Sequence, residues 1–264
     1  MTRSTLCNIS LFTLLTLNTA YADITGGEIS LGAYSHSPSG TASYTLPYIH
    51  TQSTADLEET FGWETEYDIM FKAYIEHPVP LIPNVRLAYT PINYSGTGFG
   101  KDFNWGELNI NGAIDTELSM SMTDLTAYYE LLDSDVELDV GLTLRYLSGN
   151  IDVIPHASVN TAVVHVNAAL SESVSLDSFA PMLYAKVRVN VPGTDISLQL
   201  EGNGLGYGDT LFYDYELGAR YTFGFGLGIE GGYKMLHLDS EDLTDGLDIN
   251  LESSGFYTSV IWDF

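Results

Sequence analysis

Ten stretches of the chain alternate apolar and polar residues with a period of two. In the clearest stretch, Val136, Leu138, Val140, Leu142 and Leu144 alternate with charged or small residues. A period of two places the two sets of side chains on opposite faces of a β-strand. The pattern therefore predicts strands at about 27–34, 64–77, 84–94, 118–132, 136–146, 181–191, 196–203, 211–223, 227–238 and 250–264.

Short turns and long loops alternate between these predicted strands. The short turns lie at 78–83, 133–135, 192–195 and 224–226, and the longest connections are 35–63, 95–117 and 149–180. Bacterial transmembrane barrels connect an even number of antiparallel strands in this way. We therefore predict an all-β fold, a transmembrane antiparallel up-and-down β-barrel of about ten strands, with eight as the other count considered. The alternative fold, a secreted β-sandwich, leaves the one-sided aromatic surface unexplained.

Three segments depart from simple alternation. Residues 53–61 are compatible with a short helix capped by Ser53 or Thr54. Residues 160–170 fit either a helix or a hairpin. In the fourth strand the apolar residues change register between Met122 and Leu125, which predicts a β-bulge near Thr123 and Asp124.

Residues 1–22 have the composition of a secretory signal peptide. Arg3 supplies a positive start, 11–17 an apolar run, and Ala20 and Ala22 a small-residue cleavage site. The apolar run is too short to span a membrane. We expect cleavage to leave 23–264 as the barrel. Because Cys7 is the only cysteine, the mature chain would then have neither disulfides nor thiol chemistry.

The last predicted strand ends on Phe264, with Trp262 two residues before it and Ser259 further back. This ending resembles the C-terminal signal by which outer-membrane β-barrels are recognised for assembly. The resemblance implies that the barrel-assembly machinery is a partner through this strand. It also implies location in the cell outer membrane, in contact with its lipid and lipopolysaccharide.

Several short motifs resemble a family of mostly uncharacterised proteobacterial outer-membrane barrel proteins whose mature chains begin near a Gly-Gly. Here the glycines are Gly26 and Gly27, and the similar stretches include 76–80, 83–87, 144–147, 191–194, 201–204 and 228–233. The resemblance covers most of 24–264 and implies an outer-membrane barrel. It implies no activity and no catalytic or ligand residues.

The chain is strongly acidic, with 35 Asp and Glu against 9 Lys and Arg and a net charge of −26. This balance argues against nucleic acid as a partner. Of the basic residues after the signal segment, only Lys101 falls in a predicted loop. Seven occupy the polar, inward positions of predicted strands, because a charge facing lipid costs about 2–4 kcal/mol at the midplane: Lys72, Arg86, Arg145, Lys186, Arg188, Arg220 and Lys234. Such an interior is either ion-paired, which the acids on the same face favour, or a pore lined for anions.

Three short turns also predict the register of their hairpins. If Val191 lies opposite Ile196, then Arg188 lies opposite Gln199 and Lys186 opposite Glu201. If Phe223 lies opposite Leu227, then Arg220 lies opposite Glu230 and Glu216 opposite Lys234. If Ile75 lies opposite Leu87, then Glu76 lies beside Arg86. Each hairpin then sets a basic residue near a polar or acidic one, where opposite charges contribute about 0.2–1 kcal/mol.

Candidate chemistry outside the interior is sparse. Acids concentrate at Asp239, Glu241, Asp242, Asp245 and Asp248. Their spacing does not match an EF-hand, so a solvated acidic surface is favoured over a site for divalent cations such as Ca²⁺.

His237 and Asp239 lie two residues apart near the top of one predicted strand. Omptin proteases use an Asp/His pair at that level, but a second pair of aspartates in matching context is lacking. We therefore expect no catalytic, cofactor or metal site and no enzyme activity.

These observations predict an integral outer-membrane barrel with a largely filled, salt-bridged lumen and acidic extracellular loops. Its expected role is structural, adhesive or that of a narrow channel. The alternatives are a barrel enzyme with a site at the outer rim, of the omptin or lipid-modifying kind, and a small passive porin.

Overall fold

The computed structural model describes residues 26–46, 48, 53–79, 81–156, 171–244 and 246–264. The predicted signal peptide and the predicted helix or hairpin at 160–170 lie outside these residues. Within them, no helix is long and apolar enough to cross a membrane.

Ten long antiparallel strands and one short strand form the described part of the molecule. The strands are β1 (Gly26–Tyr44), β2 (Ala55–Asp56), β3 (Glu66–Glu76), β4 (Asn84–Trp105), β5 (Leu108–Leu132), β6 (Val136–Pro155), β7 (Glu172–Asn190), β8 (Ile196–Tyr207), β9 (Thr210–Thr222), β10 (Leu227–Thr244) and β11 (Leu247–Asp263). Each long strand pairs with the next, and β11 pairs with β1, so the sheet closes into a barrel. The ten-stranded up-and-down barrel predicted from alternation is confirmed.

The seam between β1 and β11 runs along almost the full length of both strands. Glu28 lies opposite Asp263 at one end and Tyr44 opposite Leu247 at the other. Beyond the ladder, Gly27 and Phe264 each donate a backbone hydrogen bond to the other, both 2.9 Å long. The final predicted strand therefore closes the ring.

The segment 53–65 completes the barrel wall above β3, which is shorter than its neighbours. β2 pairs with β1 at Ala42 and Thr41, and Trp63 forms a bridge to Gly96 on β4. The predicted helix at 53–61 is wrong. Two strand residues are followed by a hydrogen-bonded turn, in which the Asp56 carboxylate accepts bonds from the backbone amides of residues 58 and 59. Four side chains of this segment are buried in the lumen: Ala55, Leu57, Phe61 and Trp63.

Several connections predicted as long loops are extensions of the strands. β4 and β5 continue to a tight turn at 106–107, so Lys101 lies on β4 and not in a loop. β6 likewise reaches Pro155, β7 starts at Glu172, and β10 and β11 continue to a turn near Gly246. The barrel is therefore taller than the alternation pattern predicted.

The two faces of each strand exchange polarity partway up the barrel. On β6 the lower inward residues are polar or charged up to Arg145, whereas Leu147, Ile151 and Val153 above them are apolar and buried. The outward face changes in the opposite sense, from Leu144 to polar residues at 148, 150 and 152. An apolar exterior requires lipid and a polar exterior requires water. The lower half is therefore the membrane-spanning part, and the upper half extends into water around an apolar core.

This exchange accounts for the predicted bulge on β5, which is wrong. β5 pairs with β6 without interruption from Ile114 to Glu130, so Met122 and Asp124 lie on the same inward face. The change of apolar register marks the level at which the lumen changes from apolar to charged. Irregular pairing occurs instead near the strand ends, between Gly100 and Phe103 on β4 and next to Glu130 on β5.

Candidate functional site in the barrel interior

The lower lumen contains the seven basic side chains that were predicted to point inward. Six of them are at most 6% exposed, and Arg188 is slightly more exposed near the lower opening. Each forms at least one ion pair with a carboxylate of the interior. Charges buried from both water and lipid need such partners, because an unpaired buried charge is very costly. The ion-paired interior is therefore confirmed.

Two glutamates on neighbouring strands connect the centre of this network. Glu201 on β8 forms an ion pair with Arg86, whose Nε lies 2.6 Å away, and lies 3.3 Å from Lys72 Nζ. Glu216 on β9 pairs with Lys72 as well and accepts from Lys234 Nζ at 2.5 Å. These five side chains come from five strands, so the network ties opposite sides of the wall together across the lumen.

A second group of ion pairs lies just beneath the apolar upper core. Arg145 donates from Nε to Asp124 and from Nη2 to Asp214, over 2.7 and 2.6 Å. Its guanidinium carbon lies 4.9 Å from the centre of the Phe212 ring. Arg145 therefore marks the contact between the charged layer and the apolar layer.

The lower opening is occupied by a third group. Arg220 Nη1 lies 2.8 Å from Glu28 across the seam, and its Nε lies 3.1 Å from Glu230. Arg188 Nη2 also reaches Glu28, at 3.2 Å. Side chains thus fill the described lumen from this opening to the apolar core.

Two of the three predicted hairpin registers are confirmed. Arg188 lies opposite Gln199 and donates to it, Arg220 pairs with Glu230, and Lys234 pairs with Glu216. Lys186 also lies opposite Glu201 as predicted, but its ammonium pairs with Asp139 on β6.

The register predicted for the β3–β4 hairpin is wrong by two residues. Val85, not Leu87, lies opposite Ile75, and Arg86 therefore lies opposite Tyr74 rather than beside Glu76. A shift of two residues keeps every side chain on its predicted face of the sheet. The predicted inward and outward directions of these side chains are therefore correct although the register is not.

A chain of hydrogen bonds crosses the level where the lumen changes polarity. Asp68 on β3 bonds His36 Nε2 on β1 at 3.1 Å, His36 Nδ1 bonds the Tyr94 hydroxyl on β4 at 2.7 Å, and that hydroxyl bonds Ser253 Oγ on β11 at 2.7 Å. His36 and Ser253 are fully buried. The evident effect of this chain is to hold four strands together. No sequence pattern indicates it, because the four residues are far apart in the chain.

Asp68 also replaces missing strand pairing. β3 and β4 pair only between Phe71 and Ile75 on β3. Above that point the Asp68 carboxylate accepts bonds from the backbone and side-chain nitrogens of Asn93, at 2.8 and 2.6 Å. A side chain thereby continues the contact between the two strands.

The upper lumen is filled by a large apolar cluster. Phe61, Trp63, Trp105 and Tyr94 stack or meet edge to face within it, with ring centres 5.2–5.5 Å apart between Phe61 and either Trp and between Trp63 and Tyr94. All four are at most 2% exposed. The salt-bridged lumen predicted from the sequence did not include this apolar layer. Its signal was the reversed alternation above the membrane level.

The outer surface of the upper half carries the acidic residues that were predicted to lie in loops. The candidate residues for a site at the outer rim, His237 and Asp239, also lie there. His237 and Asp239 share a face, as predicted, but they point outward from β10, where the His237 ring packs on Tyr213. Among the described residues, no group of three His, Cys, Asp or Glu could hold a metal ion. Asp245 lies outside these residues. At the top, hydrogen bonds from Thr97 and then His156 lower the pKa of Asp115.

No family model and no curated protein matches the chain. Among solved structures, the outer-membrane protease OmpT of Escherichia coli has a TM-score of 0.53 at 10% identity, covering 94% of this chain and 99% of that one. Other matches are the translocator domain of the autotransporter NalP of Neisseria meningitidis and Ail, the attachment invasion locus protein of Yersinia pestis. NalP has a TM-score of 0.41 at 14% identity, covering 91% of this chain and 89% of that one. Ail has a TM-score of 0.38 at 11% identity, covering 90% and 98%. The likeness to OmpT shows the fold alone, which is that of an outer-membrane β-barrel protein.

Proposed function

We propose that the protein is an integral outer-membrane protein whose barrel conducts little or not at all and whose acidic upper half serves a structural or adhesive role. The observation that carries the proposal is that both halves of the lumen are filled by side chains. Buried ion pairs occupy its lower half, and a packed apolar cluster occupies its upper half. The packed apolar layer opposes the passage of ions and polar solutes, because they would lose hydrogen bonds to water there.

The outer membrane is the proposed location because the apolar outward belt requires lipid and the fold matches barrels of that membrane. The acidic outer surface supports lipopolysaccharide and its bridging divalent cations as partners of the upper half. Export by a cleaved signal peptide, and assembly through β11, remain part of the proposal.

The proposal includes no enzyme activity. OmpT is a protease, but its likeness to this chain is in fold. In this chain, His237 and Asp239 point away from the lumen, and the Asp68–His36–Tyr94–Ser253 chain is buried except at Asp68, which is partly exposed.

Single-channel recording in a planar lipid bilayer tests the proposal against a passive porin. The full-length protein should produce no current steps, or only small ones with cation preference, because acids dominate the outer surface. A general porin reconstituted in parallel supplies the positive control. Large, anion-selective steps would contradict a filled lumen.

A further inference from the structure

The β8–β9 hairpin ends well below the strands on either side of it. The last pair between β7 and β8 joins Leu183 to Gly204, and the hairpin turns between Tyr207 and Thr210. β7 continues upward to Glu172 and β10 to Thr244. Above Leu183, β7 therefore has no paired strand on this side among the described residues. Pro181 lies on that edge, where a missing N–H removes no ladder bond.

The step in the wall contains a cleft of about 510 Å³. Phe179 and Pro181 of β7 lie on one side, Leu243 of β10 on the other, and Leu205 of the hairpin lies below. Phe212 and Leu147 of the upper core form its floor. The size is within the range of small-molecule sites, about 300–1,000 Å³.

A second groove, of about 620 Å³, lies below this cleft on the lipid-facing wall. The linings of the two approach each other at Pro181 and Leu183, successive outward residues of β7, and at Gly204 and Leu205 on β8. Outward positions of β8 carry Leu198 and Leu200 at the membrane level and glycine at 202, 204 and 206 above it. The missing side chains leave a channel between Leu183 and the outward-facing Tyr213 and Tyr215.

We propose that the cleft and groove together hold one acyl chain of a membrane phospholipid. The groove is continuous with the belt that contacts lipid, so a chain enters it without crossing water or a polar layer. The chain would descend from the upper mouth, between Pro181 and Leu205, toward Gly202 and Leu183.

Charge at the mouth decides which lipid is accepted. Glu241 and Asp242 lie there, and none of the residues lining the cleft is Lys or Arg. A free fatty acid would place its carboxylate against these acids. A phospholipid with an ammonium headgroup, such as phosphatidylethanolamine, has no net charge, and its ammonium group is attracted to these acids.

Photocrosslinking tests the assignment. The full-length protein is reconstituted in vesicles that contain phosphatidylethanolamine with a diazirine on one acyl chain, and the labelled residues are mapped by mass spectrometry. We expect adducts on Leu205, Leu243 and Phe212 in addition to the general labelling of the lipid-facing belt. Adducts confined to belt residues such as Leu142 and Leu198 would overturn the proposal.

A filled cleft provides the matched comparison. A side-chain atom at Gly206 or at Gly224 would meet nothing within 4 Å, so both sites accept a larger residue. Gly206→Phe projects beside the cleft, whereas Gly224→Phe lies in the turn at the opposite end of the barrel. Cleft adducts should be lost in Gly206→Phe and kept in Gly224→Phe, with belt labelling unchanged in both. Equal cleft labelling in the two variants would overturn the proposal.

A diazirine-bearing free fatty acid, used at the same membrane concentration, tests the charge argument. It should label Leu205 and Leu243 less than the phospholipid does. Equal or stronger labelling by the free acid would overturn the assignment to a phospholipid. None of these readouts depends on whether the lumen conducts.

Discussion

Met122 and Asp124 are consecutive residues on the inward face of β5, and the lumen changes from apolar to charged between them. Met122 packs in the upper core, whereas Asp124 binds Arg145. The outward face changes at the same height, because Leu125 is exposed and apolar whereas Glu117 and Ser119 above it are polar. One strand therefore meets lipid in its lower half and water in its upper half.

The membrane level can be tested on this strand alone. Leu125→Lys places a charge on the lipid-facing surface, which costs about 2–4 kcal/mol near the midplane. Glu117→Lys changes the same face of β5 above the lipid and should leave the free energy of unfolding nearly unchanged. Urea unfolding in lipid vesicles, followed by the gel shift between folded and heated protein, measures both. Equal losses in the two variants would place the lipid boundary elsewhere.

The central ion network should contribute strongly to stability. Glu201→Gln leaves Arg86 and Lys72 with less compensation while keeping the shape of the side chain. Removing one partner from a buried ion pair costs about 3–5 kcal/mol. Glu117→Gln removes an exposed carboxylate and should stay within about 0.5 kcal/mol of the parent. The unfolding midpoint in urea measures both, and an unchanged midpoint for Glu201→Gln would show that the network is not needed for stability.

The hydrogen-bond chain at the polarity boundary offers an adjacent pair of serines for comparison. Ser253→Ala removes one of the two partners of the buried Tyr94 hydroxyl, and the loss of a typical hydrogen bond lowers the free energy of unfolding by about 0.5–1.5 kcal/mol. Ser254→Ala lies on the outward face of the same strand and should have little effect. Thermal unfolding in detergent distinguishes them. If the two substitutions change the unfolding temperature equally little, the hydrogen-bond chain does not hold the four strands together.

The contact between Gly27 and Phe264 leads to a prediction about the seam between β1 and β11. A side-chain atom added to Gly27 would lie 2.6 Å from Phe264 Cζ, so the glycine leaves room for this ring. Gly27→Val should displace the ring and lower the yield of assembled barrel, as should removal of Phe264.

Gly26→Val is the control for the seam. An atom added there meets only the mobile end of the Glu76 side chain, at 3.0 Å. Assembled yield is read from the heat-dependent gel shift. Combining Gly27→Val with deletion of Phe264 should add little to either change alone, because both disturb the same contact. Fully additive losses of assembled yield would contradict a shared role of Gly27 and Phe264 in one contact.

Most of the lower barrel could be predicted from the sequence, and most of the upper barrel could not. Along 136–146 the apolar side chains face lipid and the polar side chains face the lumen. The same rule predicts that the seven basic residues point inward. Above the membrane the rule reverses. Residues 108–122 still alternate, but their apolar side chains point into the lumen. The pattern of the lower barrel therefore ends there, and the strand was not predicted to continue.

The filled interior was only partly predictable, for a related reason. Turns fix which residues of a hairpin lie opposite each other, and they placed Arg220 near Glu230 and Lys234 near Glu216. Lys72, Glu201 and Glu216 meet across the lumen, where no turn sets the distance. That arrangement depends on the curvature of the closed sheet, which a single sequence pattern does not contain.

The pairing of β1 with β11 has a consequence for folding speed. The two strands of this ladder are separated by nearly the whole chain, and contacts between distant residues form slowly because the intervening loop must first lose entropy. Until β11 arrives, β1 and β10 each present an unpaired edge that can recruit another strand. Ring closure is therefore expected to be the late, rate-limiting step, and the open intermediate to be the species most prone to aggregate.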